Sequence, residues 1–394
     1  MSFIQIVLKP GKEQSILRRH PWVFSGAIKG MTGIPKNGDV VAVHDSSGKW
    51  LGLGHYAEGS ISVRIFEFEK AELSPSIWKD KIAAAFSARK SLGFTDNPQT
   101  NIYRLVHAEG DGMPGLIIDV YNKTAVIQTH SAGMSSVRNE LVSALQEVLG
   151  DRITSVYDKS AEKLSKNSGV ASENTYLLGK KEDDVCLENG CKFRIDWEEG
   201  QKTGFFIDQR ENRNLLGALS KGKKVLNTFC YTGGFSVYAL KNGASLVHSL
   251  DSSQKALDLT EENIRLNDLD SSKHGLIKAD AVEYMKNLKE DYDIIVLDPP
   301  AFAKHLSARH KAVQGYKRIN SAAISQIKKG GIIFTFSCSQ AVDKQLFTNT
   351  IISSAIETGR NIRILHQLHQ PADHPINIYH PEGEYLKGLV LAVD

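Results

Sequence analysis

Two short motifs in the last quarter of the chain carry groups capable of covalent chemistry. Asp298-Pro299-Pro300 follows the apolar run Ile294-Ile295-Val296-Leu297, and Ser337-Cys338-Ser339 follows Ile332-Ile333-Phe334-Thr335-Phe336. Both runs read as buried strands. In an open α/β sheet, ligands sit outside the carboxyl ends of the strands, so a carboxylate and a thiol would face one crevice. C5 of cytosine or uracil is a poor nucleophile. A thiolate added at C6 turns C5 enamine- or enolate-like and able to take a methyl group, and cysteine is the side chain best suited to that addition. Asp298 is placed to hold the N3/N4 edge of cytosine. Pro299-Pro300 makes a stiff turn without backbone donors, and Phe302 offers a ring on which an extruded base can stack. The plainer readings are packing for Cys338, because free cysteine is often simply buried, and turn formation for Asp298.

A methyl transfer needs a donor. Residues 225–236 (VLNTFCYTGGFS) read as a strand, a glycine turn and a helix start. Glycine lets backbone approach a ligand closely. The next strand ends in Asp251, a little under ~20 residues past the glycines, the spacing of a ribose-binding carboxylate. The strand after that leads to Asp280, placed to accept from an adenine amine. Neither a G-x-G-x-x-G fingerprint nor a Walker loop is present. S-adenosylmethionine, with adenosine and ribose but no phosphate, fits this pattern. The candidate cofactor residues are Asn227, Phe229, Tyr231, Gly233, Asp251, Ser252, Asp280 and Ala281, together with Asp298. The alternative is a tight turn followed by two helix N-caps; the ordered series on successive strand ends favours the cofactor.

The elements that must hold these groups follow from patterning. From about residue 186 strands alternate with helices, the rhythm of a mostly parallel, doubly wound sheet. Residues 1–70 carry short alternating apolar segments punctuated by Gly, Asn and Ser, as in a small β-barrel. Residues 71–185 mix a helix over 77–92, strands near 105–107, 116–121 and 125–129, and a helix over 135–149; residues 160–174 read as loop or a short exposed helix. The expected architecture is therefore multidomain: an N-terminal β-barrel (1–70), a central α+β domain (71–185) and a C-terminal α/β Rossmann-like domain (186–394).

The 394 residues carry a net charge of +3, too little for whole-molecule attraction to a polyanion, so local clusters must serve. Lys9, Lys12, Arg18, Arg19 and His20 lie near Trp22 and Phe24, a combination that can neutralise phosphates and stack on bases. A solvated basic face is the competing reading. Four cysteines with no CxxC pair argue against structural zinc and suit a reducing cytoplasm. His366 and His369 would fall on opposite faces of a strand, so no metal is expected; His374, before Pro375, is a candidate for the crevice lining. No apolar run is long enough to cross a bilayer, and the first residues lack the pattern of a secretion signal.

Arg18-Arg19-His20-Pro21-Trp22-Val23-Phe24-Ser25-Gly26-Ala27-Ile28 resembles the opening of a PUA domain, an RNA-binding β-barrel. Gly204-Phe205-Phe206-Ile207-Asp208-Gln209-Arg210, the 227–236 loop, Asp298-Pro299-Pro300 and Ser337-Cys338-Ser339 resemble the bacterial large-subunit (23S) rRNA cytosine-5 methyltransferase family, over nearly the whole chain. The resemblance implies a class I methyltransferase domain using S-adenosylmethionine, 23S rRNA as partner, and often a homodimer. It implies Cys338 as nucleophile and Asp298 on the substrate, and it brings Phe206, Gln209 and Arg210 to the cofactor site. Arg18, Arg19, His20, Trp22, Pro299, Phe302 and His374 become the RNA-facing set. The wider RNA cytosine-5 enzymes have a second cysteine beside the proline of the Asp298 motif; here Pro299-Pro300-Ala301 departs from them. Two other readings stand beside this one. Asp-Pro-Pro can serve an amino-group methyltransferase acting on guanine or adenine without any thiol, although such sites place an aromatic where Ala301 stands. A non-catalytic RNA-binding assembly factor could retain the same fold.

Overall fold

A computed structural model describes residues 3–69, 72–168, 172–303 and 305–394. The N-terminal segments pair into a six-stranded sheet: β1 (Ile4–Leu8), β2 (Trp22–Phe24), β3 (Ile28–Met31), β4 (Val40–His44), β5 (Trp50–Tyr56) and β6 (Ile61–Glu67), in the order β2-β6-β5-β4-β1-β3. β1 and β4 run parallel, and the other pairings are antiparallel. Side chains alternate across a strand, and β4 uses both faces. Val41 and Val43 pack with Ile6, Leu8, Val63 and Ile65. Ala42, pointing the other way, joins a second core with Trp78, Ile82, Leu105 and Ile118.

That second core lies over a five-stranded sheet, β7 (Ile102–His107), β8 (Leu116–Tyr121), β9 (Thr124–Thr129), β10 (Ser155–Asp158) and β11 (Thr175–Leu178), in the order β11-β10-β9-β8-β7. The helices Ile77–Ser91 and Arg138–Leu149 pack with it. The expected domain boundary at residues 70 and 71 lies outside the described residues, and this apolar cluster takes side chains from both sides of it. The helix expected over 135–149 is two helices, Ala132–Ser136 and Arg138–Leu149, the first capped by Ser131 Oγ accepting from the Met134 amide at 3.3 Å. Within 160–174 the chain forms the helix Ala161–Ser168, and residues 169–171 lie outside the described set.

A two-stranded sheet follows, β12 (Val185–Glu188) and β13 (Cys191–Arg194). Its turn is Asn189-Gly190, both at positive φ (49° and 72°), as a two-residue type I′ hairpin demands. Seven strands then build the last sheet: β14 (Lys224–Thr228), β15 (Leu246–Asp251), β16 (His274–Lys278), β17 (Ile294–Leu297), β18 (Gly331–Ser337), β19 (Ile362–His369) and β20 (Lys387–Val393), ordered β16-β15-β14-β17-β18-β20-β19. The first five are parallel neighbours, and β20 runs antiparallel to β18 and β19. All four residues of β17 are fully buried, which explains its unbroken apolar run. The strand order reverses between β14 and β17, the switch point at which such sheets bind ligands.

The chain separates into two compact units. One comprises Met1–Cys186, Ile195–Ile207 and Ala372–Gly383; the other comprises Leu187–Arg194, Asp208–Pro371 and Glu384–Asp394. Asn227 through Gly233, Asp251, Asp280, Asp298 and Cys338 all belong to the second. Among the described residues, no helix is long and apolar enough to cross a membrane.

Candidate active site

The loop after β14 occupies the switch point. Phe229 and Tyr231 both adopt left-handed backbone (φ 55° and 48°), a conformation that costs roughly 1–3 kcal/mol per non-glycine residue and gathers at functional sites. Gly233 follows at φ 74°, and a Cβ there would stand 2.5 Å from Thr260 Cγ2. Asp251, at the end of β15, holds the loop: its Oδ2 accepts from the Tyr231 amide at 3.1 Å and its Oδ1 from the Ser253 amide at 2.9 Å. Asp280 is the N-cap of the helix Ala281–Tyr284, accepting from the Glu283 amide at 2.9 Å. Each carboxylate oxygen keeps a further lone pair, so these backbone duties leave acceptors for a ligand. Asp280 and Ser252 are exposed, Asp251 is half-buried and Ala281 is buried.

Asn227 is 1 % exposed, and its Nδ2 donates to Ser236 Oγ at 2.9 Å. From there a buried chain runs through Ser249 Oγ (2.6 Å) to His274 Nε2 (2.8 Å). Asn227 Oδ1 is buried without a protein partner. An orphaned acceptor at the root of the loop, a strained backbone and a cradle that a Cβ would fill fit a bound adenosine-type cofactor. Phe206, expected among the cofactor residues, falls in the other compact unit, where Lys202 Nζ lies 4.4 Å from its ring centroid. Gln209 Nε2 donates to Asp298 Oδ2 at 3.0 Å, while Asn212 Nδ2 donates to Gln209 Oε1 at 2.6 Å. Arg210 is buried, its Nε 3.6 Å from Glu188 Oε2. Glu188 itself is fully buried and grips Arg213 at 2.8 and 2.7 Å.

Asp298 and Cys338 leave the carboxyl ends of adjacent parallel strands, where Leu297 pairs with Thr335. The two motifs are tied directly. Ser339 Oγ donates to the Ala303 carbonyl at 2.6 Å, joining the Cys338 turn to the loop that starts at Asp298. Tyr316, on the helix Arg309–Gln326, has its phenol pushed up to about 12, by burial first and also by the Cys338 and Asp298 charges. Its ring packs 4.7 Å from Phe302. Asp298 and Phe302 are half-buried and Pro299 is buried. Cys338 is half-buried, whereas Cys186, Cys191 and Cys230 are 0 %, 1 % and 6 % exposed. Burial pushes the Cys186 and Cys191 thiols up, and takes Cys230 to about 12.

The N-terminal basic cluster divides. Arg18 is exposed; Arg19, at φ 63°, pairs with Glu69 at 3.2 Å on the surface. Trp22 and His20 are partly withdrawn. Trp22 Nε1 donates to Glu109 at 2.9 Å, and its ring sits 4.3 Å from His380. Phe24 remains 47 % exposed. His374, expected to face RNA, is corrected: it is 1 % exposed, with Nδ1 3.0 Å from Asp373 and its ring 5.1 Å from His107. His20, His380 and Glu382 bring ligand-type atoms within 4.8 Å of one another. The Trp22 amide donates to His20 Nδ1 at 3.2 Å, so the neutral ring carries its proton on Nε2, the nitrogen 3.5 Å from Glu382. That tautomer suits a hydrogen bond rather than metal ligation.

Sequence reasoning missed Tyr316, Thr260, Glu188 and Lys387, the last of which donates from Nζ to the Ser339 carbonyl at 2.7 Å beside Cys338. Of these only Lys387 gave a signal, as a charged residue heading an apolar strand.

Comparison with known proteins agrees with this geometry. The S-adenosylmethionine-dependent methyltransferase family matches residues 169–380, and a PUA-like domain matches residues 6–68. The ribosomal RNA large subunit methyltransferase I of Tolumonas auensis is 40 % identical over 394 residues, covering 98 % of each chain. Its counterpart in Escherichia coli K12 is 38 % identical over 397 residues, covering 99 % of each. The chain belongs to the ribosomal RNA large subunit methyltransferase I family. It is an S-adenosylmethionine-dependent methyltransferase with a PUA-like domain. A methyltransferase structure from Streptococcus mutans (TM-score 0.85, 22 % identity) and one complexed with S-adenosylhomocysteine (TM-score 0.86, 23 % identity) share its fold over the full length of both chains.

Proposed function

We propose that the protein methylates C5 of a cytosine in large-subunit ribosomal RNA, with Cys338 as nucleophile and Asp298 as the group that orients the base. When bound, S-adenosylmethionine supplies an electrophilic methyl group. The Cys338 thiolate forms a bond to C6, and the electron pair so released makes C5 the attacking atom. After methyl transfer a base takes the C5 proton, the electron pair left behind re-forms the C5–C6 double bond, and the C6–S bond breaks with its electrons returning to sulfur, regenerating the thiolate. Asp298, oriented by Gln209, accepts from the exocyclic amine of cytosine and holds the ring. Phe302 and Pro299 flank the base.

The observation that carries this reading is Cys338 itself. It alone of the four cysteines is not buried, and Ser339 binds its turn to the Asp298 loop. The names of the relatives support ribosomal RNA as substrate and a cytoplasmic setting. Arg18 and Arg19, with the exposed ring of Phe24, make the PUA-like segment its RNA-holding part. The division into domains 1–70, 71–185 and 186–394 and a homodimeric assembly belong to the same proposal. The test is Cys338→Ala. It should abolish transfer of label from S-adenosylmethionine to rRNA while calorimetry shows unchanged cofactor affinity. Full activity in that variant would move the reaction to an exocyclic amino group of guanine or adenine, where no thiol is needed.

A further inference from the structure

We propose that Lys387 is the counter-ion of the Cys338 thiolate, a positioning residue that favours the ionised nucleophile. The proposal rests on the reading of Cys338 as nucleophile and adds the group that sets its charge state.

Lys387 opens β20, directly across the sheet from Ser337 at the end of β18. It is 5 % exposed. Its Nζ donates to the carbonyl of Ser339 at 2.7 Å and to that of Tyr385 at 2.9 Å. An ammonium has three hydrogens and no acceptor, so these contacts leave one N–H over. Among the described residues no carboxylate reaches it as an ion-pair partner. A buried charge is tolerated when paired, and carbonyl dipoles alone supply no opposite charge.

The groups around the pair are few. Cys338 is the foremost charge favouring the protonated amine, ahead of Glu384, just before β20, and Asp343, which caps the helix Lys344–Thr358; burial pulls the other way and lowers the amine's pKa. From the helix Arg309–Gln326 comes the neutral Tyr316, and from the loop after β17 comes Asp298. The acids raise the cost of a thiolate, and Lys387 offsets it. Clamping the Ser339 carbonyl also holds the residue after Cys338 in place. Lysine suits both duties, as a compact charge on an apolar stem that can shift its pKa when buried.

The test reads the thiol directly. The full-length protein is alkylated with iodoacetamide across a pH series, and modification of the Cys338 peptide is followed by mass spectrometry. Cys186, Cys191 and Cys230 serve as slow internal comparators. In the wild type the rate should reach half its maximum at least about one pH unit below the ordinary thiol value of ~8.5. Lys387→Met should move that midpoint up by about one unit or more, slowing alkylation near neutral pH about tenfold. Lys387→Arg should restore it, whereas a structural role alone would leave the midpoint unmoved. Coincident profiles for wild type and Lys387→Met overturn the proposal. If Lys387→Met does not fold, a wild-type midpoint at or above the ordinary thiol value overturns it equally. Retained methylation in Cys338→Ala would remove the nucleophile reading, while the alkylation profile would still decide the pairing.

Discussion

Gly233→Ala puts the cofactor loop under a load that can be worked out beforehand. Two costs arise. The residue sits at φ 74°, and placing an L-side chain in left-handed backbone costs roughly 1–2 kcal/mol. The new Cβ would also stand 2.5 Å from Thr260 Cγ2 and 3.0 Å from its Oγ1, and overpacking of that kind costs about 1–3 kcal/mol. Thr260 has little room to yield: it is fully buried, and its Oγ1 lies 2.9 Å from the Tyr231 carbonyl and 3.0 Å from that of Ala256. The sum, roughly 2–5 kcal/mol, must appear in one of two places. If the loop holds its shape, stability falls by that amount. If the loop shifts to escape, cofactor binding must restore it, and affinity falls by about thirty-fold to a few thousand-fold at 1.4 kcal/mol per decade. Calorimetry with S-adenosylhomocysteine measures the second loss and urea unfolding the first; together they should reach the sum. Adding Thr260→Ser, which removes Cγ2 but keeps the hydroxyl, should recover the steric share and leave the backbone share. A Gly233→Ala protein that binds cofactor within twofold of wild type and unfolds at the same urea concentration would refute this reading of the loop.

Three further outcomes follow from the same reasoning. Glu188→Gln removes the buried carboxylate that pairs with Arg213 and lies 3.6 Å from Arg210, and should lower unfolding free energy by about 3–5 kcal/mol in denaturant titrations. His55 is buried against Phe66 and Trp78 and its pKa is pulled down to about 4 by burial. The folded form therefore keeps the ring neutral where the unfolded chain takes up a proton, so stability is full above about pH 6.5 and is lost as pH falls towards 4, by roughly 3 kcal/mol from this group. His55→Phe should flatten that acid limb in unfolding curves recorded across the range. Replacing Arg18 and Arg19 with Ala should weaken RNA binding and reduce its salt slope by up to about 1.4, at about 0.7 for each single-strand phosphate no longer neutralised; an unchanged slope would make both ordinary surface residues.

The layout of the C-terminal strands was readable because its pattern is local. Strand ends, glycines and carboxylates recur at fixed spacing along the chain, so Asn227, Asp251, Asp280, Asp298 and Cys338 could each be placed from their neighbours. What escaped depends on pairings between distant segments. Lys387 reaches the Ser339 carbonyl from 48 positions away, and Gln209 reaches Asp298 from 89. No periodicity reports such pairs. The burial of His374 against His107 was equally hidden, since the residues around it left a crevice-lining position open. The chain's return to the first unit at 195–207 and 372–383 left no compositional mark. The Asn189-Gly190 hairpin was visible in the residues themselves, but its strands, only four residues each, are too short for alternation to announce them.

Covalent capture tests the central claim most directly. RNA carrying 5-fluorocytidine at the target position cannot lose fluorine from C5 as it would a proton, so an adduct formed through C6 is retained after methyl transfer. With S-adenosylmethionine present, a denaturation-stable protein–RNA complex should form and map to the peptide containing Cys338. An enzyme that methylates unmodified RNA yet forms no such complex, or one whose cross-link lies elsewhere, would contradict a thiolate at C6.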